Sequence, residues 1–568
     1  MKIAAAALAL ASLSMIGAAP PPKAVAHAPG WAAFRDGYIE QWFRLDPSNA
    51  VYQGRHDFDG RLPDWSAAGL ARQAAFLRES IARAERFTTL TGADRFERDY
   101  LLHVARGKLF LLVDADFPHA NPAWYVGGGL DPNVYLARTY APPAVRMRAL
   151  TAMFRNVPAA AAQIRANLRT PMPASFVDYG AAAFTGFADF YGDNAVQAFA
   201  DVKDPAGQAA LKAAAGRASA AMRALATWIT AQKAGATQDF ALGPARFSRM
   251  LAEIEGVDTP LARLEAIGRA DLQRNQAALR QACASFAPGK SILACTAQMG
   301  EHKADGGPVA AARTMVPTLR RFVAAHDIVT VPGTEQALVE EAPAYNRQNS
   351  AYIDPPGPFD KGVPSVYYIA PPDPAWDKAT QDAFVPGYGN LLFTTVHEVM
   401  PGHFVQFLHA NRSPSLFGRL NVGYAYAEGW AHYAEEMMWD AGLGNGSAEV
   451  HVGQLSEALL RDCRFLSAIG LHTQGMTLDQ SRRLFVEQCY QDEGTARQQA
   501  ARGTYDPQYL SYTLGKLMIR KLRDDWTATR GGRAGWKAFH DRFLSYGGPP
   551  IPLVRQAMMD EPTPQAVF

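Results

Sequence analysis

Seven long stretches of the chain are rich in alanine, leucine and arginine and contain almost no proline. They are residues 31–43, 65–87, 95–112, 144–168, 206–233, 261–282 and 309–325. Their apolar residues often recur at spacings of three and four, which is the period of an amphipathic helix. Alanine and arginine are strong helix formers. The sequence therefore predicts a mainly α-helical fold.

One region breaks this pattern. Between Tyr352 and Pro386 the chain carries eight prolines, and proline is excluded from helix interiors and from central strands. Within this region the β-type residues 365–369 suggest an edge strand lying along a cleft, and a solvated linker is the alternative. We place a helical N-terminal lobe at residues 27–339 and a catalytic lobe at 340–568, and we expect the two to pack together.

Composition and charge limit the class of protein. Of the 568 residues, 48% are hydrophobic and 19% are charged, and the formal net charge is +2. This composition is typical of a globular protein. No run of one charge sign provides the basic stripe that nucleic-acid binding requires, so we expect no nucleic-acid partner.

The N-terminus has the features of a secretory signal peptide, which we assign to residues 1–26. Lys2 precedes an apolar run from Ile3 to Ile16, and small residues follow. That run is too short to span a bilayer, and no cysteine follows it to carry a lipid anchor. No later segment offers 18 apolar residues without charge, so we expect a periplasmic or secreted protein without membrane insertion. The sequence leaves its oligomeric state open.

Four cysteines fit an oxidising compartment. They are Cys283, Cys295, Cys463 and Cys489, and they lack the spacing of a zinc knuckle. The pairing favoured by proximity in sequence is Cys283–Cys295 and Cys463–Cys489, one of three possible connectivities. The second bond would join two antiparallel helices.

The segment from His397 to His403 points to metal chemistry. In the helical zinc motif two histidines four residues apart share a face and the glutamate after the first acts as base. Here Glu398 follows His397, but Pro401 occupies the fourth position and His403 is the next histidine. On a regular helix His403 would point roughly 120° away from His397. We expect Pro401 and Gly402 to open the helix and turn His403 back toward His397.

A second segment supplies the third ligand. Glu428, His432 and Glu435 are spaced four and three residues apart, on one face of a predicted helix. Such groups are costly to bury unpaired among alanine and aromatic residues. We assign Glu428 as a metal ligand and expect Glu435 and His432 to orient the ligands. The ligand set His397, His403 and Glu428 favours Zn²⁺.

The motifs TTVHEVMPGHFVQ and YAEGWAHYAEE resemble those of a large bacterial family known as domain of unknown function 885. That family is grouped with zinc metallopeptidases of the Glu-zincin kind. The resemblance extends to GLHTQGMTLDQ and ARGTYDPQYLSYTLGKLMIRKLR and spans roughly residues 30 to 560. It implies a large helical metallopeptidase-like fold with a deep cleft, and Glu398 as the general base.

By the same resemblance, His472, Arg502 and Tyr512 match positions near the site. We expect Tyr512 to stabilise the oxyanion, with Tyr509 as the alternative, and His472 to act as a further donor. The planar guanidinium of Arg502 suits a substrate carboxylate. His432, where the family more often has an aliphatic residue, and the stretch PSVYYIAPP depart from the family pattern, which affects specificity more than the metal site.

These residues predict an exported zinc hydrolase, and the resemblance to metallopeptidases implies that it acts on short peptides, since a helical funnel excludes folded proteins. Two alternatives stay open. One is an amide or ester hydrolase with non-peptide substrates, and the other is a periplasmic binding protein that has lost activity. An intact Glu398 argues against a binding protein, which has no need of a base.

Overall fold

The computed structural model describes residues 29–343, 347, 350–561 and 568, and within them helices predominate. Before the sheet the helices are α1 Pro29–Leu45, α2 Pro47–Tyr52, α3 Ala67–Glu85, α4 Gly92–Leu109, α5 Phe117–Ala120, α6 Ala123–Val126, α7 Asn133–Ala137, α8 Pro143–Asn167, α9 Ala174–Gly192, α10 Asn194–Gln197, α11 Pro205–Ala231, α12 Pro244–Met250, α13 Leu261–Phe286, α14 Ile292–Glu301 and α15 Pro308–Ala325. After it they are α16 Lys378–Phe384, α17 Tyr388–Glu398, α18 His403–Ala410, α19 Leu416–Leu420, α20 Tyr424–Asp440, α21 Ala448–Thr473, α22 Leu478–Arg483, α23 Glu493–Tyr505, α24 Ser511–Thr527, α25 Trp536–Leu544 and α26 Ile551–Met559.

The mainly α prediction is confirmed. All seven predicted stretches form helices, which are α1, α3, α4, α8, α11, α13 and α15. Local signals set several of their starts: the Ser66 side chain caps α3, and Asp204 caps α11 ahead of a proline in its first turn. Helix α9 was not predicted, because its sequence is rich in glycine and aromatic residues. It forms where Phe184 and Tyr191 are buried, so packing outweighs propensity there.

A small sheet interrupts the helices. Its strands are β1 Ala337–Glu341, β2 Ala351–Asp354 and β3 Ser365–Ile369, in the order β1-β3-β2, with β1 parallel and β2 antiparallel to β3. The expectation that residues 365–369 form an edge strand is wrong, since β3 is central and all five of its residues are buried. The flanking Pro364 and Pro371 stand outside the strand, where they cost no ladder hydrogen bond.

Two apolar cores divide the chain. One contains the buried apolar residues of α1 to α11, together with Phe417, Leu420 and Leu553. The other is built mainly from residues after 240, including α13, α15, α17, α20, α21 and α24. The change from one core to the other therefore falls earlier in the sequence than residue 339. The two-lobe division stays a prediction, and the signal peptide assigned to 1–26 lies outside the described residues.

Both favoured disulfides are present. Cys283–Cys295 joins α13 to α14, and Cys463–Cys489 joins α21 to the end of the helical segment that follows it. The second bond thus links two antiparallel segments, as expected. Within the described residues, none of the helices is both long and apolar enough to cross a membrane.

The crossing of α20 and α24 depends on two glycines. A Cβ on Gly429 would lie 2.5 Å from the Cα of Gly515, and one on Gly515 would overlap the carbonyl oxygen of Ala425. The two backbones are therefore in direct contact. This contact brings Glu428 on α20 close to Tyr512 on α24.

We expect Gly515→Ala to destabilise the protein by about 1–3 kcal/mol, because the added methyl group forces the two helices apart. Thermal unfolding monitored by circular dichroism measures this. Gly216→Ala on α11 is the matched control, since nothing lies within 4 Å of the added Cβ. There the better helix propensity of alanine should leave stability unchanged or slightly higher. Equal unfolding temperatures for Gly515→Ala and the wild type would contradict this account of the crossing.

Candidate metal centre

The chain breaks its helix between the two histidines of the motif. Helix α17 ends at Glu398, α18 begins at His403, and the Met400–Pro401 peptide bond is cis. The amide of Gly402 donates to the carbonyl of Val396 over 3.0 Å, which is not a helical hydrogen bond. A Cβ on Gly402 would overlap the carbonyl oxygen of His397, so only glycine fits here. The predicted opening of the helix is therefore present, as a complete break between two helices.

This break brings His403 back beside His397. The ring centroids lie 4.8 Å apart and the rings are perpendicular. The indole nitrogen of Trp430 donates to the carbonyl of Pro401 over 2.9 Å. Because Trp430 is on α20, this bond fastens the loop to the helix that carries Glu428.

Three donor atoms converge at this place. Oε2 of Glu428 lies 3.3 Å from Nε2 of His397 and 3.3 Å from Nε2 of His403. Neither contact is a hydrogen bond, and within the described residues the buried Oε2 of Glu428 has no hydrogen-bond partner. The donor atoms of the three residues all lie within 4.8 Å of one another. The structure thus brings together the three residues that the sequence predicted as ligands.

A carboxylate fixes the orientation of His397. Nδ1 of His397 lies 2.6 Å from Oε1 of Glu435, which is fully buried. Glu435 also contacts His432 at 3.3 Å and Arg461 at 3.3 Å. Because Nδ1 is used in this way, Nε2 of His397 is directed toward Glu428. The expected orienting role of Glu435 matches this geometry, and His432 contacts Glu435 rather than the three donors.

The donor set fits a zinc ion. Zinc binds imidazole nitrogen and carboxylate oxygen at about 2.0–2.2 Å in tetrahedral geometry, which separates neighbouring ligand atoms by roughly 3.3–3.5 Å. The two 3.3 Å separations to Oε2 of Glu428 agree with that value. A second observation supports this fit. Oε2 of Glu428 is buried without a hydrogen-bond partner among the described residues, which is costly unless a metal ion binds it.

The electrostatics of the cluster favour a positive charge. Burial lowers the pKa of His397, but contacts with the carboxylates of Glu428 and Glu435 outweigh burial and raise this pKa to about 9. Burial raises the pKa of Glu428, yet the two imidazoles hold it well below its usual range. The cluster therefore stabilises a cation among its donors, as a metal site must.

Glu398 is placed differently from the donors. It is buried, lines a cleft, and has no hydrogen bond or ion pair among the described residues. Burial raises its pKa, and the nearby histidines lower it, with a net rise. A carboxylate with a raised pKa next to a metal-ligand cluster is suited to accept a proton.

The cluster opens into a large cavity. Its volume is about 1190 Å³, and its wall includes His397, Glu398, His403 and Glu428. The edge strand β2 contributes Ala351, Tyr352 and Ile353 to the same wall. The edge strand along the cleft is therefore β2 and not residues 365–369.

Tyr512 and Arg502 line this cavity, as predicted. The ring of Tyr512 lies 6.3 Å from that of His397, and its hydroxyl makes no hydrogen bond within the part of the chain that the structure describes. Arg502 is already engaged: it pairs with Asp506 at 2.9 Å and donates to the hydroxyl of Tyr424 over 2.9 Å. Arg502 therefore has less capacity to bind a substrate carboxylate than the sequence suggested.

Two predicted site residues lie elsewhere. His472 donates from Nε2 to the carbonyl of Gly503 over 2.7 Å, and Nδ1 accepts from the amide of Leu242. It lines a separate cavity of about 360 Å³. Burial lowers its pKa to about 4, and His472 is not among the residues that line the cavity of the three donors. Tyr509 is fully buried and does not line the cleft, because it packs against Gly503.

Sequence reasoning missed the arginines behind Tyr512. The guanidinium groups of Arg464 and Arg461 lie 4.8 Å and 5.7 Å from the Tyr512 ring. Both are buried on α21. Charged residues in an otherwise apolar helix would have been the signal for them. Tyr424, four residues before Glu428, could have been found from its position on the same helix face.

Comparison with solved structures finds the same architecture. A predicted lipoprotein of unknown function from Shewanella oneidensis superposes with a TM-score of 0.77 at 25% identity, covering 94% of this chain and 100% of that one. A predicted lipoprotein from Colwellia psychrerythraea gives a TM-score of 0.77 at 16% identity, covering 94% and 98%. The second likeness concerns the fold alone. A search of curated proteins finds no match.

The family comparison covers almost the whole sequence. The profile of the bacterial proteins of unknown function named DUF885 matches residues 47–558. This range contains both motifs on which the metal centre is built. The chain therefore belongs to the DUF885 family.

Proposed function

We propose that the protein is an exported zinc-dependent hydrolase that cleaves peptide bonds in short peptides. The observation that carries the proposal is the convergence of His397 and His403 on Oε2 of Glu428, each at 3.3 Å, with Glu398 beside them on the wall of one cavity. A structural zinc site closes its coordination with protein ligands. Three protein donors facing an open cavity leave a position for water, as catalysis requires.

Each residue of the site has a separate role in the proposed hydrolysis. Bound zinc would polarise the scissile carbonyl and acidify a water molecule. Glu398 accepts a proton from the attacking water and passes it to the leaving nitrogen as the carbon–nitrogen bond breaks. Tyr512, whose hydroxyl is uncommitted, donates a hydrogen bond to the oxyanion that develops on the carbonyl oxygen. Glu435 keeps His397 in its ligating orientation throughout.

A peptide suits the shape of the cleft. Strand β2 is an edge strand and lies on the cavity wall, so an extended peptide can pair with it through backbone hydrogen bonds. The cavity of about 1190 Å³ exceeds the volume typical of small-molecule pockets, yet it is far too small for a folded protein. These features favour short peptides over amides or esters that lack an extended backbone.

An exported location agrees with the two disulfides and with the description of both structural relatives as predicted lipoproteins. We therefore place the reaction outside the cytoplasm. The substrates would then be peptides of the periplasm or the medium.

Metal content is the first test. We expect about one zinc per chain in the purified protein, measured by mass spectrometry, and loss of the metal in His403→Ala, because two donors rarely hold zinc. His326→Ala is the matched control, since His326 is exposed and does not line the cavity. Glu435→Gln should weaken zinc binding about 10–100-fold. A wild-type protein that takes up no zinc on titration would contradict the proposal.

Replacing the base separates an enzyme from a binding protein. We expect Glu398→Gln to keep its zinc but to lose about 10²–10⁴-fold in kcat on a pool of short peptides, measured as release of free amines. The zinc content of the variant is the internal control for folding. Unchanged turnover would remove Glu398 from the mechanism. A wild-type protein that cleaves amides or esters but no peptide would favour the alternative hydrolase.

Tyr512 and Tyr509 allow a matched comparison of two hydroxyl groups, one on the cleft wall and one away from it. We expect Tyr512→Phe to lower kcat by about 10²–10³-fold with little change in KM, because its hydroxyl acts on the transition state. Tyr509→Phe removes a hydroxyl that is buried away from the cleft and should leave both constants near their wild-type values. Equal effects of the two substitutions would show that Tyr512 has no special role.

A further inference from the structure

A lysine on the cleft wall makes no ion pair or hydrogen bond with the described residues. Lys108, at the end of α4, lines the same cavity as Glu398. Its ammonium lies 4.3 Å from the centroid of the Trp42 ring, a cation–π contact. Among the described residues no carboxylate forms an ion pair with it and no acceptor forms a hydrogen bond with it. Its one directional contact is therefore the aromatic ring.

One acid, Asp46, interacts with this charge without forming an ion pair with it. Asp46 lines the cavity and interacts electrostatically with Lys108, but its Oδ1 caps α2 by accepting from the amide of Asn49 over 3.1 Å. Burial lowers the pKa of Lys108, and Asp46 only partly opposes this. A partly buried ammonium without a hydrogen-bond partner is costly. A negatively charged ligand in the cavity would offset that cost.

The other cation of the cavity differs in this respect. Of the lysine and arginine side chains that line it in the described structure, Arg502 is already paired with Asp506 and Tyr424. Lys108 is the one available to a ligand. Its ammonium lies against the Trp42 ring, and Leu111 and Trp65 line the same cavity, so a charge pair formed there would be weakly screened.

The geometry points to Lys108 as the anchor for a carboxylate of the substrate, which we assign to the C-terminal α-carboxylate of a short peptide. This inference rests on the proposed function and names the substrate class more closely. A carboxylate carries one negative charge and matches one ammonium. A phosphate, with a charge near −2, would meet the repulsion of Asp46 with a single cation to balance it. An anchored C-terminus would select peptides by their free end.

Binding measurements test the anchor without turnover. Zinc-loaded Glu398→Gln protein is titrated by calorimetry with the tetrapeptide Ala-Phe-Ala-Phe as the free acid and as the C-terminal amide. We expect the acid to bind at least about tenfold more tightly than the amide, since a hydrogen bond to a charged group is worth that much. Adding Lys108→Met should reduce the preference to less than about twofold, and Lys108→Arg should retain most of it.

Lys212→Met is the matched control, because Lys212 is exposed on α11 and the substitution changes the charge equally. It should leave the preference intact. A third ligand, the amide of Ala-Phe-Glu-Phe, separates the two sources of a carboxylate. If this amide binds as tightly as the free acid, and only when Lys108 is present, the carboxylate is that of a side chain.

Four results would overturn the inference: equal binding of acid and amide, a preference that survives Lys108→Met, Lys108-dependent binding of the Ala-Phe-Glu-Phe amide as tight as that of the free acid, or no binding of any of the peptides. A failure of the proposed function would give results different from a failure of the anchor. Acid preference that depends on Lys108, without hydrolysis by the wild type, would remove the peptidase and keep the anchor. Hydrolysis without acid preference would remove the anchor and keep the peptidase. Zinc content and thermal unfolding of each variant identify any loss of folding.

Discussion

The carboxylate of Glu435 is fully buried where three helices meet, and the site depends on how its charge is balanced. His397 of α17 contacts it at 2.6 Å, and His432 of α20 and Arg461 of α21 each contact it at 3.3 Å. Arg461 is held in turn by Glu457 at 2.8 Å. Removing one partner from such a group leaves an uncompensated charge in the interior. The relative positions of the three helices and the orientation of His397 are therefore fixed by the same set of contacts.

Steric constraints on the backbone also position the donor atoms of the site. The break at Pro401 and Gly402 turns His403 toward His397, and Trp430 fastens the broken segment to α20 through a 2.9 Å hydrogen bond. The glycine contact between α20 and α24 lets the two helices approach closely enough for Glu428 and Tyr512 to share one cavity. The two short motifs thus encode both the donor atoms and the small residues that allow these donors to meet.

The sequence predicts those parts of the molecule that local rules determine. Helix periodicity identified seven long helices, and the exclusion of proline from helices located β3 and most of β2 but not β1. Adjacency in sequence identified both disulfides, and motif spacing identified the three donors and Glu398. Local sequence patterns do not predict features that depend on long-range packing. His472 and Tyr509 carry suitable functional groups, but tertiary contacts direct them away from the cleft. Residues 365–369 became the central strand because β1 and β2 come from separate segments that no local pattern pairs.

The wall of the cleft contains residues from distant parts of the chain. A second buried charge network connects these parts. Arg138, between α7 and α8, pairs with Asp354 at the end of β2 at 2.7 Å and with Asp360 at 3.2 Å. His56 contacts the same Asp360 at 3.1 Å. These bonds tie the edge strand to the N-terminal helices, which also supply Trp42 and Lys108 to the cavity. Helices α17, α18, α20 and α24 carry the three donors, Glu398 and Tyr512, so the two apolar cores contribute different parts of one cavity wall. The C-terminal core thus positions the candidate ligands, Glu398 and Tyr512, and the N-terminal core, with β2 attached to it, forms another part of the same cavity wall.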